Sequence, residues 1–139
     1  MKVAIAKSDA EILACFLVMR HLRELDSAPD FLEHVRAQQS SGYQLAFVID
    51  GGEPQAVAGF RIGENLAWGR HLYVDDLVTL PEVRSTGYGS MLLTWLAELA
   101  RAEGAQELHL ESGVARTDAH RFYEREGFKV SSYHFKRTI

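Results

Sequence analysis

The stretch EVRSTGYGSML, from Glu82 to Leu92, lies where the sequence pattern changes period. The residues before it, GRHLYVDDLVTL, are rich in β-branched and aromatic side chains and stop at Pro81, which predicts a strand. The residues after Gly87 carry an apolar stripe at helical spacing, which predicts a helix to about Glu103. The stretch is therefore predicted to be the turn between a strand and the N-terminus of a helix.

The composition of this turn suits a bound anion. Free backbone N–H groups and the positive end of the helix dipole meet at a helix N-terminus. Gly87 and Gly89 keep side chains away from that backbone and permit positive φ values, as an anion-binding nest requires. Arg84 and Ser85 can add side-chain donors. A dinucleotide fingerprint would need glycine or alanine where Leu92 stands, and the Gly-Lys-Ser/Thr of a P-loop is absent. The pattern favours a pyrophosphate.

Hydrophobic periodicity predicts the remaining elements. The segment Ser8–Glu11 fits a capping box before a first helix, and a second helix is predicted from Pro29 to about Gln39. Strands are predicted in KVAIA, YQLAFVID, QAVAGFRIGE and QELHLES, with a Gly-Gly turn that makes the second and third a hairpin. A short helix over 118–125 and one or two strands in FKVSSYHFKR complete the order β-α-α-β-β-β-α-β-α-β(-β).

This element order predicts an α/β (α+β) fold. The strand–helix–strand crossover between residues 70 and 112 implies two parallel strands in a sheet that is otherwise mostly antiparallel. About four helices flank this mixed sheet. With 139 residues, the chain is predicted to be a single domain, 1–139, with a real core.

Composition excludes several classes of partner. A net charge of −4 and a pI near 5.8 argue against nucleic acid. The chain has no run of about eighteen apolar residues and no apolar centre of a signal peptide, so we expect a cytoplasmic protein without a membrane partner.

Cys15 is the only cysteine, which rules out an intramolecular disulfide, and its apolar surroundings predict a core residue. The histidines show no metal-binding spacing, so no metal is expected.

Two segments, Val74–Leu93 and DAHRFYEREGF at Asp118–Phe128, resemble the GNAT superfamily of acyl-CoA-dependent N-acetyltransferases. The resemblance implies a GNAT-like fold whose two parallel strands splay apart, and acetyl-CoA as co-substrate without a metal. It implies that the pantetheine arm pairs with backbone around Val78 and Thr79. Many members carry asparagine where Arg116 stands, which changes one side-chain contact to the cofactor. The residues implied to bind the pyrophosphate are Arg84, Ser85, Thr86, Gly87, Tyr88, Gly89 and Ser90.

Acetyl transfer to an amine requires that the amine lose a proton and that the departing thiolate gain one. Asp75 is the first candidate base, because the spermidine/spermine branch of the family has a carboxylate at the matching place. Glu111, on the neighbouring strand, is the second. The alternative for both is a solvated strand face. By strand alternation Asp75 and Asp76 should lie on opposite faces, with Asp76 making structural hydrogen bonds. Tyr123 resembles the family's general acid, and its alternative is a core aromatic residue.

The predicted function is transfer of the acetyl group of acetyl-CoA to a primary amine of a small molecule, by direct attack in a ternary complex. Acceptor specificity is expected in the first two helices and in the loop Gly63–Gly69. The alternatives are a protein lysine or N-terminal acetyltransferase and a non-catalytic coenzyme A-binding module. The family resemblance also implies a homodimer.

Overall fold

The computed structural model describes all 139 residues. It contains five strands, four α-helices and a short 3-10 turn at Pro81–Val83. In chain order the elements are β1 (Lys2–Ile5), α1 (Asp9–Met19), α2 (Ala28–Gln39), β2 (Gln44–Asp50), β3 (Glu53–Asn65), β4 (Gly69–Thr79), α3 (Tyr88–Ala102), β5 (Glu107–Leu110) and α4 (Thr117–Arg125).

The strands form one sheet in the order β1-β2-β3-β4-β5. The first four are antiparallel to their neighbours, and β5 runs parallel to β4 after the crossover through α3. This confirms the predicted mixed sheet with one parallel pair and four helices. β5 has four residues and β4 has eleven, so most of β4 has no parallel partner along β5.

The predicted strands at the C-terminus are wrong. Residues 129–139 form no strand, and the apolar side chains that suggested one are exposed, among them Val130 and Phe135. Alternating apolar residues form a strand when one face can be buried and the backbone can pair with a neighbour. Neither condition is met in this segment.

The two faces of the sheet carry different helices. The capping box at Ser8 and Glu11 begins α1 as predicted, with reciprocal hydrogen bonds of 2.9 and 3.1 Å. Cys15 of α1 is fully buried in a core that also contains Val57 of β3, and burial raises the pKa of its thiol to about 12, so it is a core residue as predicted. Phe60, three residues along β3 and therefore on the other face, packs against Trp95 of α3.

The chain divides into two compact units, Met1–His109 and Leu110–Ile139. The first contains the sheet through His109 and the helices α1, α2 and α3. The second contains α4 and the segments around it.

Candidate active site

A β-bulge in the middle of β4 decides where its two aspartates point. Val74 pairs with Phe60 and Asp76 pairs with Gly59, so Asp75 is an extra residue without a partner on β3. The bulge interrupts the strict alternation of the strand. The expectation that Asp75 and Asp76 lie on opposite faces is therefore wrong, because both belong to one network of polar side chains.

In this network Asp75 is held by an arginine of β3. The Nε of Arg61 donates to Oδ2 of Asp75 at 2.8 Å, and the side chain of Asp75 is 30% exposed. The same guanidinium donates to the carbonyl and hydroxyl oxygens of Ser41 and to Gln38 Oε1 at 3.1–3.3 Å. Arg61 thus links β3, the bulge and the end of α2.

Asp76 has two partners of its own. The hydroxyl of Tyr43 donates to Oδ2 at 2.8 Å, and Arg23 Nε donates to Oδ1 at 2.8 Å. Arg23, in the loop between α1 and α2, also donates to the backbone carbonyl of Asp75 at 2.9 Å. With its side chain 14% exposed, Asp76 makes the structural hydrogen bonds that were expected of it.

Gly59 leaves room for the hydrogen bond between Tyr43 and Asp76. A Cβ atom at Gly59 would lie 1.9 Å from the hydroxyl oxygen of Tyr43 and 2.5 Å from Oδ2 of Asp76. The phenol of Tyr43 is buried, and burial together with the charge of Asp76 raises its pKa. Tyr43 therefore remains a hydrogen-bond donor across the physiological pH range.

The turn after β4 presents backbone donors instead. The 3-10 turn leads into an extended Arg84, and Ser85 and Gly87 have left-handed backbones with φ of 63° and 96°. Gly87 caps α3, no side chain caps the helix, and Thr86 Oγ1 donates back to the carbonyl of Val83. The first N–H groups of α3 have no acceptor in their own helix. Residues 84–87, directly before these donors, are exposed, which leaves the N-terminal end of α3 accessible to an anion.

One detail of this turn differs from the expectation. Gly87 and Gly89 both permit positive φ, but Gly89 is helical and Ser85 is the second left-handed residue of the turn. A left-handed backbone at a residue with a side chain costs about 1–2 kcal/mol. The sequence offers no signal for it, since serine rarely takes this conformation.

A hydrogen bond that the sequence did not predict ties this turn to the β2–β3 hairpin. The hydroxyl of Tyr88, the first residue of α3, donates to Asp50 Oδ2 at 2.7 Å. Asp50 is the last residue of β2. No motif marked it, because the contact joins residues 38 positions apart.

In the unit Leu110–Ile139, Tyr123 lies on α4 between two aromatic rings. Its ring centroid is 5.4 Å from that of Phe122 and 5.9 Å from that of Phe128. Burial raises the pKa of Tyr123, and the positive charge of Arg116 lowers it by a smaller amount. The phenol is therefore protonated at neutral pH, as a proton donor must be.

The other candidate residues of this unit are more exposed. Glu111 follows β5 rather than lying on it, which corrects its predicted place, and its Oε2 is 2.8 Å from His134 Nδ1. Arg116 is the exposed residue that precedes α4. In the other unit, Val78 and Thr79 pair with β3 through Val57 and Ala56, near the end of β4.

No helix has the length and apolar character needed to cross a membrane. No group of three or more His, Cys, Asp or Glu side chains is arranged to hold a metal ion.

The family model of the acetyltransferase (GNAT) family matches residues 10–128. The chain belongs to the GNAT acetyltransferase family. The uncharacterized N-acetyltransferase YhdJ of Bacillus subtilis (strain 168) is 34% identical over 134 residues, which cover 95% of this chain and 94% of that protein. The aminoalkylphosphonate N-acetyltransferase of Salmonella typhimurium (strain LT2) is 44% identical over 66 residues, or 48% of this chain and 43% of that protein.

Solved GNAT structures share the fold at low identity. A GNAT family acetyltransferase from Staphylococcus aureus has a TM-score of 0.83 and 15% identity, covering 99% of this chain and 98% of that one. The aminoglycoside 6'-N-acetyltransferase AAC(6')-IG of Acinetobacter haemolyticus has a TM-score of 0.81 and 16% identity, covering 100% and 99%. At these identities the likeness shows the fold, and the GNAT membership rests on the family model and on YhdJ.

Proposed function

We propose that this GNAT protein, as a single domain of residues 1–139, transfers the acetyl group of acetyl-CoA to a primary amine of a small molecule. The amine attacks directly in a ternary complex, without a covalent enzyme intermediate. The observation that carries the proposal is the turn after β4, where Ser85 and Gly87 are left-handed and the start of α3 is uncapped by any side chain. In a GNAT chain such donors suit the pyrophosphate of coenzyme A.

The proposed cofactor residues fall into two sets. Backbone N–H groups of residues 85–90, with the side chain of Arg84, bind the pyrophosphate. The backbone of Val78 and Thr79 lies at the end of β4, whereas Gln106, just before β5, donates to the carbonyl of Arg70 near the start of β4 at 3.4 Å. In the proposal this free end of β4 pairs with the pantetheine arm, and an N–H there polarises the thioester carbonyl. We keep Arg116 as a predicted side-chain contact to the cofactor. When bound, acetyl-CoA supplies an activated acetyl group.

The proposed base is Asp75. Arg61 Nε donates to one of its oxygens, Oδ2, at 2.8 Å, and the side chain keeps 30% of its surface exposed. A carboxylate in this state attracts an ammonium ion and accepts its proton, directly or through a water molecule. Asp76 is less suited to this role, because both of its oxygens already accept hydrogen bonds and its side chain is more deeply buried. Glu111 is the second candidate.

Tyr123 is the proposed acid. Burial raises its pKa, so the phenol holds its proton until the thiolate leaves. Proximity of the two bound substrates supplies much of the remaining rate enhancement.

For the acceptor we propose a small aminoalkyl compound that also carries an acidic group. Arg23 is half exposed beside the bulge, and its partners leave some of its N–H groups available to an anion. An aminoalkylphosphonate has this chemistry, and the Salmonella relative is named for it. We expect α1, α2 and the loop Gly63–Gly69 to complete the acceptor site, and we retain the homodimer as a prediction.

The proposal is tested by thiol release from acetyl-CoA in the presence of aminoalkylphosphonates, polyamines, aminoglycosides and amino acids. Each acidic acceptor is paired with an alkylamine of the same length that lacks the acidic group. Release stimulated by the acidic members supports the proposed class. If only protein amines are acetylated, the chain is a protein acetyltransferase, and if the folded protein binds acetyl-CoA without turnover on any amine, it is a non-catalytic binding module.

A further inference from the structure

The hydrogen bond between Tyr88 and Asp50 joins the proposed pyrophosphate loop to the tip of a β-hairpin. Tyr88 begins α3, and Asp50 precedes the two-residue turn Gly51–Gly52 between β2 and β3. The two side-chain oxygens are 2.7 Å apart, and both residues are partly buried. The hydrogen bond to Asp50 raises the pKa of Tyr88, so the phenol is a lasting donor.

The carboxylate of Asp50 is negatively charged and lies next to the proposed anion-binding loop. A negative charge bonded to a residue of an anion-binding loop opposes the anion that the loop should bind. The hairpin does not need this side chain for its turn, because there the backbone of Asp50 pairs with Glu53 and its carbonyl accepts from Gln55 Nε2 at 3.3 Å. Asp50 forms no ion pair with a basic residue. Its carboxylate is therefore occupied by Tyr88.

The same hairpin also holds the other end of the loop. The backbone N–H of Leu80, just before the 3-10 turn, donates to the carbonyl of Gln55 at 2.9 Å. Gln55 in turn bonds through its amide to the carbonyls of Asp50 and Glu53. The loop from residue 81 to 87 is thus fixed to one hairpin before and after its exposed donors.

We propose that Asp50 and Tyr88 form a tether that positions the pyrophosphate loop for acetyl-CoA. Both are positioning residues: the tether fixes the start of α3 and so lowers the entropy that the loop must lose when it binds the phosphates. This proposal rests on the proposed function, because it assigns a role to residues outside the reacting groups. Its effect should appear in the affinity for the pyrophosphate and not in the chemical step.

The test compares two donors in the variants Tyr88→Phe, Asp50→Ala, Asp50→Asn and the double variant Tyr88→Phe/Asp50→Ala. Acetyl-CoA carries the pyrophosphate, and acetylpantetheine carries the same thioester without it. Loss of the tether should raise KM for acetyl-CoA roughly fivefold to tenfold, with kcat unchanged. The same variants should change kcat/KM for acetylpantetheine less than about twofold, since their effect on the chemical step is small. Tyr133→Phe, at an exposed residue with no part in the site, is the matched control.

Asparagine keeps an acceptor for the phenol and removes the charge, so Asp50→Asn should retain near-wild-type KM. The double variant should be no worse than the single ones, because both remove one contact. Additive losses, equal losses with both donors, or a loss in Tyr88→Phe without one in Asp50→Ala would each overturn the tether. A wild-type protein that turns over neither donor would instead contradict the proposed function, and calorimetric titration with coenzyme A would still test the tether.

Discussion

The bulge of β4 and the turn that follows it lie within fifteen residues of sequence and satisfy their polar groups in opposite ways. At the bulge, Asp75 and Asp76 are hydrogen-bonded to Arg61, Arg23 and Tyr43. In the turn, residues 84–87 are exposed, and Gly87 offers no side chain to cap the start of α3. The bulge is completed by the protein itself, whereas the turn is suited to an external anion.

The difference separates two kinds of residue. Changes at the bulge should act on stability or on the chemical step, and changes in the turn should act on affinity for acetyl-CoA.

The largest effect is expected for Asp75→Asn. This change keeps the shape of the side chain and removes its basicity, so we predict a fall in kcat of about a hundredfold or more with KM for acetyl-CoA unchanged. Steady-state kinetics across pH measure both values. Glu124→Gln, at an exposed position of α4, is the matched control and should behave as wild type. A normal kcat in Asp75→Asn would transfer the role of base to Glu111.

Two glycine variants should distinguish the bulge, where we expect a loss of stability alone, from the turn, where we expect a loss of affinity for acetyl-CoA as well. In Gly59→Ala the new Cβ would lie 1.9 Å from the Tyr43 hydroxyl and must break its hydrogen bond with Asp76, which costs about 1–3 kcal/mol of stability. In Gly87→Ala the new Cβ meets no atom within 4 Å, but φ at this residue is 96° and its backbone belongs to the proposed anion site.

Thermal unfolding and kinetics together distinguish these outcomes. We expect Gly59→Ala to lower Tm by several degrees, because about 1 kcal/mol corresponds to roughly 3–6 °C in a chain of this size. We expect Gly87→Ala to cost about 1–2 kcal/mol for its left-handed backbone and in addition to raise KM for acetyl-CoA. A Gly87→Ala protein with unchanged KM would remove the turn from the binding site.

A smaller effect, dependent on pH, is predicted for Tyr43→Phe. The pKa of Tyr43 is raised in the folded protein by burial and by Asp76. Its contribution to stability is therefore complete below a pH of about 10, the pKa of tyrosine in an unfolded chain, and is lost as pH rises toward the folded value. Tyr43→Phe should be less stable by about 1 kcal/mol at pH 7, and the gap should narrow above pH 10. Urea unfolding at pH 7 and above pH 10 measures this difference in stability between the wild type and Tyr43→Phe. A difference that widens above pH 10 would contradict the role given to the Tyr43 hydroxyl.

The smallest effect is predicted for Ser85→Gly. Glycine accepts φ of 63° without strain, although it also adds freedom to the unfolded chain. We therefore expect a gain in stability of up to about 1 kcal/mol, with affinity for acetyl-CoA retained through the backbone. Chemical unfolding and calorimetric titration check the two parts. A clear loss of affinity would show that the hydroxyl of Ser85 contacts the phosphates itself.

The turn could be predicted from sequence because its determinants are local. An apolar strand, a proline, glycines at fixed spacing and an amphipathic stripe indicate the crossover into α3, and the structure confirms it. The capping box before α1 was predictable for the same reason, since Ser8 and Glu11 are three residues apart. Such signals need no knowledge of distant parts of the chain.

The bulge network could not be predicted, because it depends on pairings between distant residues. Arg61 and Asp75 meet across two strands, and Arg23 reaches Asp76 from 53 positions away. The bulge itself appears only in the register between β3 and β4, and a one-residue shift reverses which face a side chain occupies. The prediction of strands at the C-terminus was wrong for a related reason. The alternation of apolar and polar residues indicates a strand, but it does not supply a neighbouring strand to pair with.

The most direct measurement of the central claim follows the acetyl group in a single turnover. The protein is mixed with a stoichiometric amount of acetyl-CoA and an aminoalkylphosphonate, and both the acceptor and the protein are analysed by mass spectrometry. We predict that the acetyl group appears on the amine nitrogen of the acceptor, with free coenzyme A formed in equal amount and no acetylated protein intermediate. Bound acetyl-CoA that transfers nothing to any amine of the panel, or an acetyl group that passes through the protein, would contradict the account.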